Sequence, residues 1–261
     1  GARFDDRITN TPSLFSPKAR IIHIDVDPAS ISKIINADIP IVGQVKESIA
    51  ALTKEIKRSK LKIDSDALDK WNSQISTWRA KHGLDHELYL KKNKSKMILP
   101  QVVVQELYHA TNGNAWVTSD VGQHQMFVAQ YYHFNKPRRW VNSGGLGTMG
   151  FGLPAAMGVK LAFPKDEVVC VTGEGSIQMC IQELSTCLQY NLPIKIININ
   201  NEALGMVRQW QDMNYGGRHS ASTYSDSLPD FVKLTQSYGH IGLKVTKKSQ
   251  LKKTLEKAFA M

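Results

Sequence analysis

From Met97 onward, short β-branched apolar runs alternate with segments of helical periodicity, and this rhythm limits the fold more than any other feature of the chain. The runs lie at Ala115–Asp120, Arg139–Ser143, Val168–Thr172, Ile194–Asn200 and Ile241–Val245. Between and around them the spacing predicts helices over Leu99–Thr111, Gln123–Tyr132, Gly152–Phe163, Ile177–Tyr190, Leu204–Met213, Pro229–Tyr238 and Ser249–Phe259. Runs apolar on both faces, each followed by a helix, predict an α/β fold: a parallel sheet with helices on both faces. Such sheets bind ligands outside the carboxyl ends of their strands. The chemistry is therefore expected just after Asp120, Ser143, Thr172 and Asn200.

The first segment carries the same alternation in shorter form. Strands are expected at Ile21–Val26 and Ile39–Gly43, with a helix over Ala29–Asn36 that has Pro28 in its first turn. Ile49, Leu52 and Ile56 space an apolar face through about Arg58. Residues 1–58 read as the C-terminal part of one α/β domain, 59–96 as a basic helical connector around Leu68, Trp71, Ile75 and Trp78, and 97–261 as a second domain. The chain opens inside a patterned segment and closes on a helix, so both ends read as cut.

The formal charge of +10 raises the question of nucleic acid. Residues 46–96 carry +6 and 244–261 carry +5, which leaves −1 for the rest. The excess thus sits on two Lys-rich amphipathic segments, with no zinc-finger or RNP-like pattern beside it, so nucleic acid is excluded as a partner. No apolar run reaches the roughly 18–20 residues of a membrane span, which excludes a membrane helix and predicts a soluble chain. Cys170, Cys180 and Cys187 are odd in number and form no CxxC, which predicts a reducing, cytoplasmic setting without structural disulfides.

Two glycine-rich turns fall at the expected strand ends. Gly145–Gly150 matches GxGxxG, but the next strand ends in Gly173 rather than in the acid that holds a dinucleotide ribose. What remains is a backbone able to approach a ligand closely. The stronger pattern is Gly173-Glu174-Gly175-Ser176 followed, with 24 residues between Gly175 and Asn200, by Asn200-Asn201. A carboxylate and an amide oxygen at the ends of adjacent parallel strands suit one hard cation, and a helix start beside them suits a phosphate. A Mg²⁺ ion bridging protein oxygens to a diphosphate is the natural occupant. A capping Glu beside a turn Asn pair is the plain alternative.

With these stretches in view, the chain resembles the catalytic large subunits of the acetolactate (acetohydroxyacid) synthases, a family dependent on thiamine diphosphate (ThDP). The resemblance rests on Gly122-Gln-His-Gln-Met126, Ser143-GGLGTMGFGLPAA-Met157, Gly173-x-Gly175, Ile181-Gln-Glu-Leu-Ser185, Asn200-Asn201, Gly205-Met-Val-Arg-Gln-Trp210 and Leu228-Pro-Asp-Phe231. Upstream, Gly1-Ala-Arg-Phe-Asp-Asp-Arg7 and His23-Ile-Asp-Val-Asp-Pro28 resemble the end of the family's central, FAD-binding domain. The resemblance implies decarboxylation of pyruvate and joining of the remaining two carbons to a second 2-keto acid, pyruvate or 2-ketobutyrate. This transferase reaction opens branched-chain amino-acid (valine, leucine, isoleucine) biosynthesis.

The implied cofactors are ThDP, Mg²⁺ and FAD. Gln123, His124, Gly175 and Ser176 would meet the diphosphate, Gly147 and Met149 the bent body of the cofactor, and Glu174, Asn201 and Ala203 the metal. Met206 and Val207 would wall the pocket. Arg7, steadied by Asp6, would hold the substrate carboxylate, and Trp210 would favour 2-ketobutyrate. Gly1, Arg3, Asp25, Val26 and Gly43 would touch the flavin. The implied partners are further catalytic subunits, as a homodimer or tetramer, and a small regulatory subunit.

Three departures from the family stand out. Glu174 occupies a position that is almost always Asp, and the extra methylene is expected to weaken metal and ThDP binding. Gln44 replaces an acid in the flavin-lining stretch. The family's activating glutamate lies on a pyrimidine-binding domain absent from these residues, so the chain alone is expected to be inactive. The strand expected after Phe259 is missing too. Alternatives are another ThDP enzyme (a pyruvate oxidase or 2-keto acid decarboxylase) and a non-catalytic fragment.

Overall fold

The computed structural model describes residues 3–82, 97–224 and 227–261. The chain forms two compact units, Gly1–Trp78 and Arg79–Met261. In the first, helix α1 (Asp6–Thr9) begins where the Asp5 side chain accepts from the Arg7 N–H at 3.2 Å. Strands β1 (Ile22–Asp25) and β2 (Ile39–Val42) pair in parallel, Ile22 opposite Ile39. Phe4 packs edge-on against Phe15 and against the buried His23, at 5.7 and 5.3 Å. Helix α2 (Val45–Ser59) follows and stops where Lys60 turns left-handed; α3 (Ser65–His82) contains Leu68, Trp71, Ile75 and Trp78. The rest of the basic connector, 83–96, lies outside the described residues.

The helix expected over Ala29–Asn36 is instead a series of turns. The Asp27 carboxylate accepts from the Ala29 N–H at 2.9 Å and from the Ser30 hydroxyl at 3.2 Å, and Ser32 turns left-handed so that its Oγ accepts from Ala37. Short polar side chains here satisfy the backbone locally, and the helical alternative loses.

The second unit is a four-stranded parallel sheet in the order β4-β3-β5-β6, built from β3 (Trp116–Ser119), β4 (Trp140–Asn142), β5 (Val168–Gly173) and β6 (Lys195–Ile199). Val117 lies opposite Trp140, Trp116 opposite Val168, and Val169 opposite Lys195. Helices α4 (Pro100–Thr111) and α5 (Gln123–Tyr131) supply Val104, Leu107, Val128 and Tyr131 to one face, where they meet Val169 and Val171. Helix α6 (Gly152–Ala162) and the short helices α7 (Glu174–Gln178) and α8 (Glu183–Gln189) supply Leu153, Ala156, Ile177 and Leu184 to the other, where they meet Val168 and Cys170. Successive β5 side chains thus enter opposite cores, as the pleat requires. Each valine fully buried in this way favours the fold by about 1.5–3 kcal/mol over exposure. Helix α9 (Gly205–Asn214) follows β6, then come α10 (Phe231–Ser237) and α11 (Lys248–Phe259). Leu251 and Leu255 of α11 pack on Val102 of α4.

Two expectations for this unit are corrected. Ile177–Tyr190 is not one helix: the chain tightens through Met179–Gln182, where Cys180 bonds back to Ile177 and Glu183 to Cys180, and α8 restarts at Glu183 with Leu184 and Cys187 buried. Ile241–Val245 is not a strand. It takes no place beside β6; Gly242 instead lies against the Val232 backbone, and Ile241 remains 68% exposed. An apolar β-branched run becomes a strand only where a neighbour completes its ladder.

Candidate active site

The connection after β3 leads to β4 on one side, and the connection after β5 leads to β6 on the other. The two chains diverge between these adjacent strands, and that divergence opens a crevice at their carboxyl ends, the place where open α/β sheets bind ligands. Its floor is sewn together by Ser176 of α7, whose hydroxyl donates to the Val121 carbonyl at 3.1 Å.

His124 stands on one wall, in the first turn of α5. It is buried, and burial pulls its imidazole down to about 4, so the ring is neutral near pH 7. Its Nε2 has no hydrogen-bond partner. The ring lies so close to the turn after β5 that a Cβ on Gly173 would fall 3.0 Å from Nδ1, a contact that a side chain there could make only by moving the ring. A buried, unpartnered ring nitrogen is costly in a closed core and makes sense beside a ligand.

Glu174 follows directly and is 2% exposed. Its Oε1 accepts from the Ala203 N–H at 2.7 Å, and Asn201 Oδ1 accepts from the same N–H at 3.2 Å. One shared donor brings a carboxylate and an amide oxygen together at the ends of β5 and β6. Burial pushes the Glu174 carboxyl up, and among the described residues no ion pair neutralises it. Ala203 contributes backbone only. Among the described residues no group of three or more His, Cys, Asp or Glu side chains is placed to hold a metal. A cation here would rest on Glu174, the Asn201 amide and main-chain or ligand oxygens, the hard donor set that Mg²⁺ prefers.

Gln123 ties the crevice to α9: its Nε2 donates to Gln209 Oε1 at 2.9 Å, and its Oε1 accepts from Asn201 Nδ2 at 3.5 Å. On the outer side of α9, Met206, Val207 and Trp210 form an uncovered stripe, with Trp210 63% exposed. Gly147 and Met149 lie in the Gly-rich turn after β4, whose start is closed by Gly147 N–H on the Ser143 carbonyl at 3.1 Å. Gly175 sits beside the Tyr224 hydroxyl, a residue the motif reading passed over; burial and the nearby Glu174 charge push that phenol up. Gln209 and Asp120 were missed as well. Gln209 belongs to an otherwise quoted motif, and Asp120 shows only as an acid closing an apolar strand.

The remaining expected residues lie in the first unit. Arg7 is exposed, and among the described residues no ion pair joins it to Asp6; Asp5 holds its backbone instead. Asp25, Val26 and Gly43 gather at the carboxyl end of β1 and β2, where the Gly43 N–H donates to the Asp25 carbonyl at 2.9 Å. Arg3 is exposed, and Gly1 lies outside the described residues.

A parallel sheet whose switch-point crevice offers converging carboxylate and amide oxygens describes a class of diphosphate-binding enzymes, and comparison with known proteins defines it. Residues 120–261 match the family described as thiamine pyrophosphate enzyme, C-terminal TPP binding domain, and residues 1–52 match thiamine pyrophosphate enzyme, central domain. The chain belongs to the thiamine pyrophosphate enzymes. Within them it is 58% identical, over 98% of its length, to the acetolactate synthase large subunit of Buchnera aphidicola subsp. Schizaphis graminum, of which it covers 43%. It is 54% identical over 99% of its length to acetolactate synthase isozyme 3 large subunit of Escherichia coli, and 52% identical over its whole length to the large subunit of Haemophilus influenzae. It covers 44% of each of these two, so the chain spans less than half the length of the relatives it matches.

Proposed function

We propose that this chain supplies the diphosphate- and magnesium-binding part of a cytoplasmic acetolactate synthase, which decarboxylates pyruvate and joins the product to a second pyruvate or to 2-ketobutyrate. The observation that carries the reading is the convergence of Glu174 Oε1 and Asn201 Oδ1 on one N–H at the mouth of the switch-point crevice. Glu174, Asn201 and the Ala203 backbone would hold Mg²⁺. Gln123, His124 and the backbone N–H groups of Gly175 and Ser176 would meet the diphosphate, because the Ser176 hydroxyl already spends its donor on Val121. Thiamine diphosphate, when bound, supplies the acyl-anion chemistry that couples decarboxylation to carbon–carbon bond formation.

The chain's own residues do the rest. His124, neutral and buried, offers Nε2 to a phosphate oxygen or to a proton on it without adding charge. Gly147 and Met149 wall the cofactor, and Met206, Val207 and Trp210 present an apolar surface to the second keto acid. Arg7 is the carboxylate-binding group. Arg3, Asp25, Val26, Gly43 and Gly1 form one edge of an FAD site, with 1–58 as the tail of the flavin-binding domain, 59–96 as connector and 97–261 as the ThDP domain. Catalytic subunits associate as a homodimer or tetramer, with a small regulatory subunit. The uncovered stripe on α9 supports a site completed by a partner. Product analysis of the longer protein carrying this chain tests the reading: 2-acetolactate from pyruvate is expected, and acetaldehyde or acetate as the main product contradicts it.

A further inference from the structure

Asp120, at the carboxyl end of β3, is fully buried, and among the described residues no Lys or Arg pairs with it. Its carboxylate is held by backbone alone. Oδ1 accepts from the N–H of Val121 at 2.8 Å and of Gly150 at 2.9 Å, and Oδ2 accepts from the N–H of Gly152 at 3.0 Å. Gly150 and Gly152 stand 30 and 32 residues further along the chain, on either side of the entry to α6. A second bond, Thr118 Oγ1 to the Gly152 carbonyl at 2.9 Å, draws the same point onto β3. The approach is so close that a Cβ on Gly152 would lie 3.0 Å from Asp120 Oδ2, so any side chain there would press the two apart.

A full charge buried without a counter-ion is an expensive way to start a helix, since an exposed Ser or Asp cap does so at the surface. What it holds is specific. The segment Gly147–Gly150 carries Met149, and its other described hydrogen bonds all return to Ser143 at the start of the same loop. Those bonds shape the loop but do not fix it to the sheet, and Leu146 at its tip is 94% exposed. The Gly150 N–H on Asp120 is the tie next to Met149. Through Val121, whose carbonyl takes the Ser176 hydroxyl, the same residue also registers the turn after β5. The carboxylate thus ties the loop after β4 to β3 directly, and the turn after β5 joins them through Val121.

We infer that Asp120 is a positioning residue that sets the Met149 segment against the cofactor site, acting through the Gly150 and Gly152 amides and not by touching cofactor or substrate. This rests on the ThDP reading above. Asp120→Asn preserves size but turns one acceptor into an N–H₂ group facing an N–H donor. In the longer protein carrying this chain, with Mg²⁺ present, titration calorimetry is expected to show ThDP binding weakened at least about tenfold, as when a supporting partner of a site is removed. Hydrogen exchange at Gly150 should accelerate while the far-ultraviolet circular dichroism stays native. ThDP binding by the variant as tight as in the parent, with only the melting temperature lowered, overturns the inference and leaves the ThDP reading standing. Failure of the parent chain to bind ThDP overturns both. If Asp120→Asn does not fold, the parent alone decides. A Gly150 amide protected before ligand is added, with the Met149 methyl resonance displaced by ThDP, supports the role; an unprotected Gly150 amide or an unmoved Met149 methyl overturns it.

Discussion

Glu174 and His124 face the crevice with opposite electrostatic needs. Burial raises the Glu174 carboxyl, so protons compete with a cation at a pH above the ordinary carboxylate range. Mg²⁺-dependent ThDP affinity is therefore expected to fall as pH drops, beginning above that range, and calorimetry across pH checks it. Glu174→Ala should lower the affinity about tenfold or more. Glu174→Asp should raise it, because Mg²⁺ tolerates little misplacement of its oxygens; an unchanged affinity contradicts the idea that the longer side chain weakens the site. His124 is held neutral, with its folded pKa near 4 against 6.5 unfolded. The unfolded chain thus takes up the proton first, and stability present above about pH 6.5 is lost as pH falls towards 4, by up to about 3 kcal/mol. Urea titrations should show that slope in the parent and lose it in His124→Gln. Glu174 and Asn201 could be singled out in the sequence because a carboxylate and an amide each close a strand there, whereas Gln123 and His124 rest on the family resemblance. Asp120, Gln209 and Tyr224 could not be singled out, since their roles depend on contacts between segments far apart in the chain.

At the scale of elements, the turn from β5 into α7 has no loop at all: Gly173 ends the strand and Glu174 begins the helix. That abruptness places the carboxylate in the crevice and brings His124 against Gly173. Gly173→Ala is expected to cost about 1–3 kcal/mol of stability and to displace the imidazole, read as a lower melting temperature together with weaker ThDP binding. On α9, Trp210 projects from a helix whose apolar stripe is uncovered. In the longer protein, Trp210→Leu should reduce the preference for 2-ketobutyrate over pyruvate by about 10-fold or more, the weight of a lost methylene contact, measured by competition between the two acids. The four strands of the large sheet and most of its helices could be read directly from periodicity. The failures share a cause. Ala29–Asn36 is helical by pattern, but Asp27, Ser30 and Ser32 satisfy its backbone locally. Ile241–Val245 is strand-like by composition, but no strand receives it. In both cases the spacing of apolar residues does not weigh the competitor: short polar acceptors nearby in the first, the lack of a receiving strand in the second.

For the molecule as a whole, charge and chemistry occupy different places. The basic excess belongs to residues 46–96 and 244–261, whereas the crevice holds a buried carboxylate, an amide and a neutral imidazole. Backbone donors and these uncharged or buried groups, and not surface lysines, are what the crevice offers a ligand. The parallel α/β class follows from the rhythm of apolar runs; the strand order, and with it the position of the switch point, emerges only in three dimensions. The central claim is that this crevice binds Mg²⁺ and the diphosphate of ThDP through Glu174. Isothermal titration of the longer protein carrying this chain with ThDP, with Mg²⁺ and then with the metal chelated, tests it most directly. Saturable one-site binding that needs Mg²⁺ and is lost in Glu174→Ala is the predicted result. No binding, or binding indifferent to both the metal and Glu174, contradicts the account.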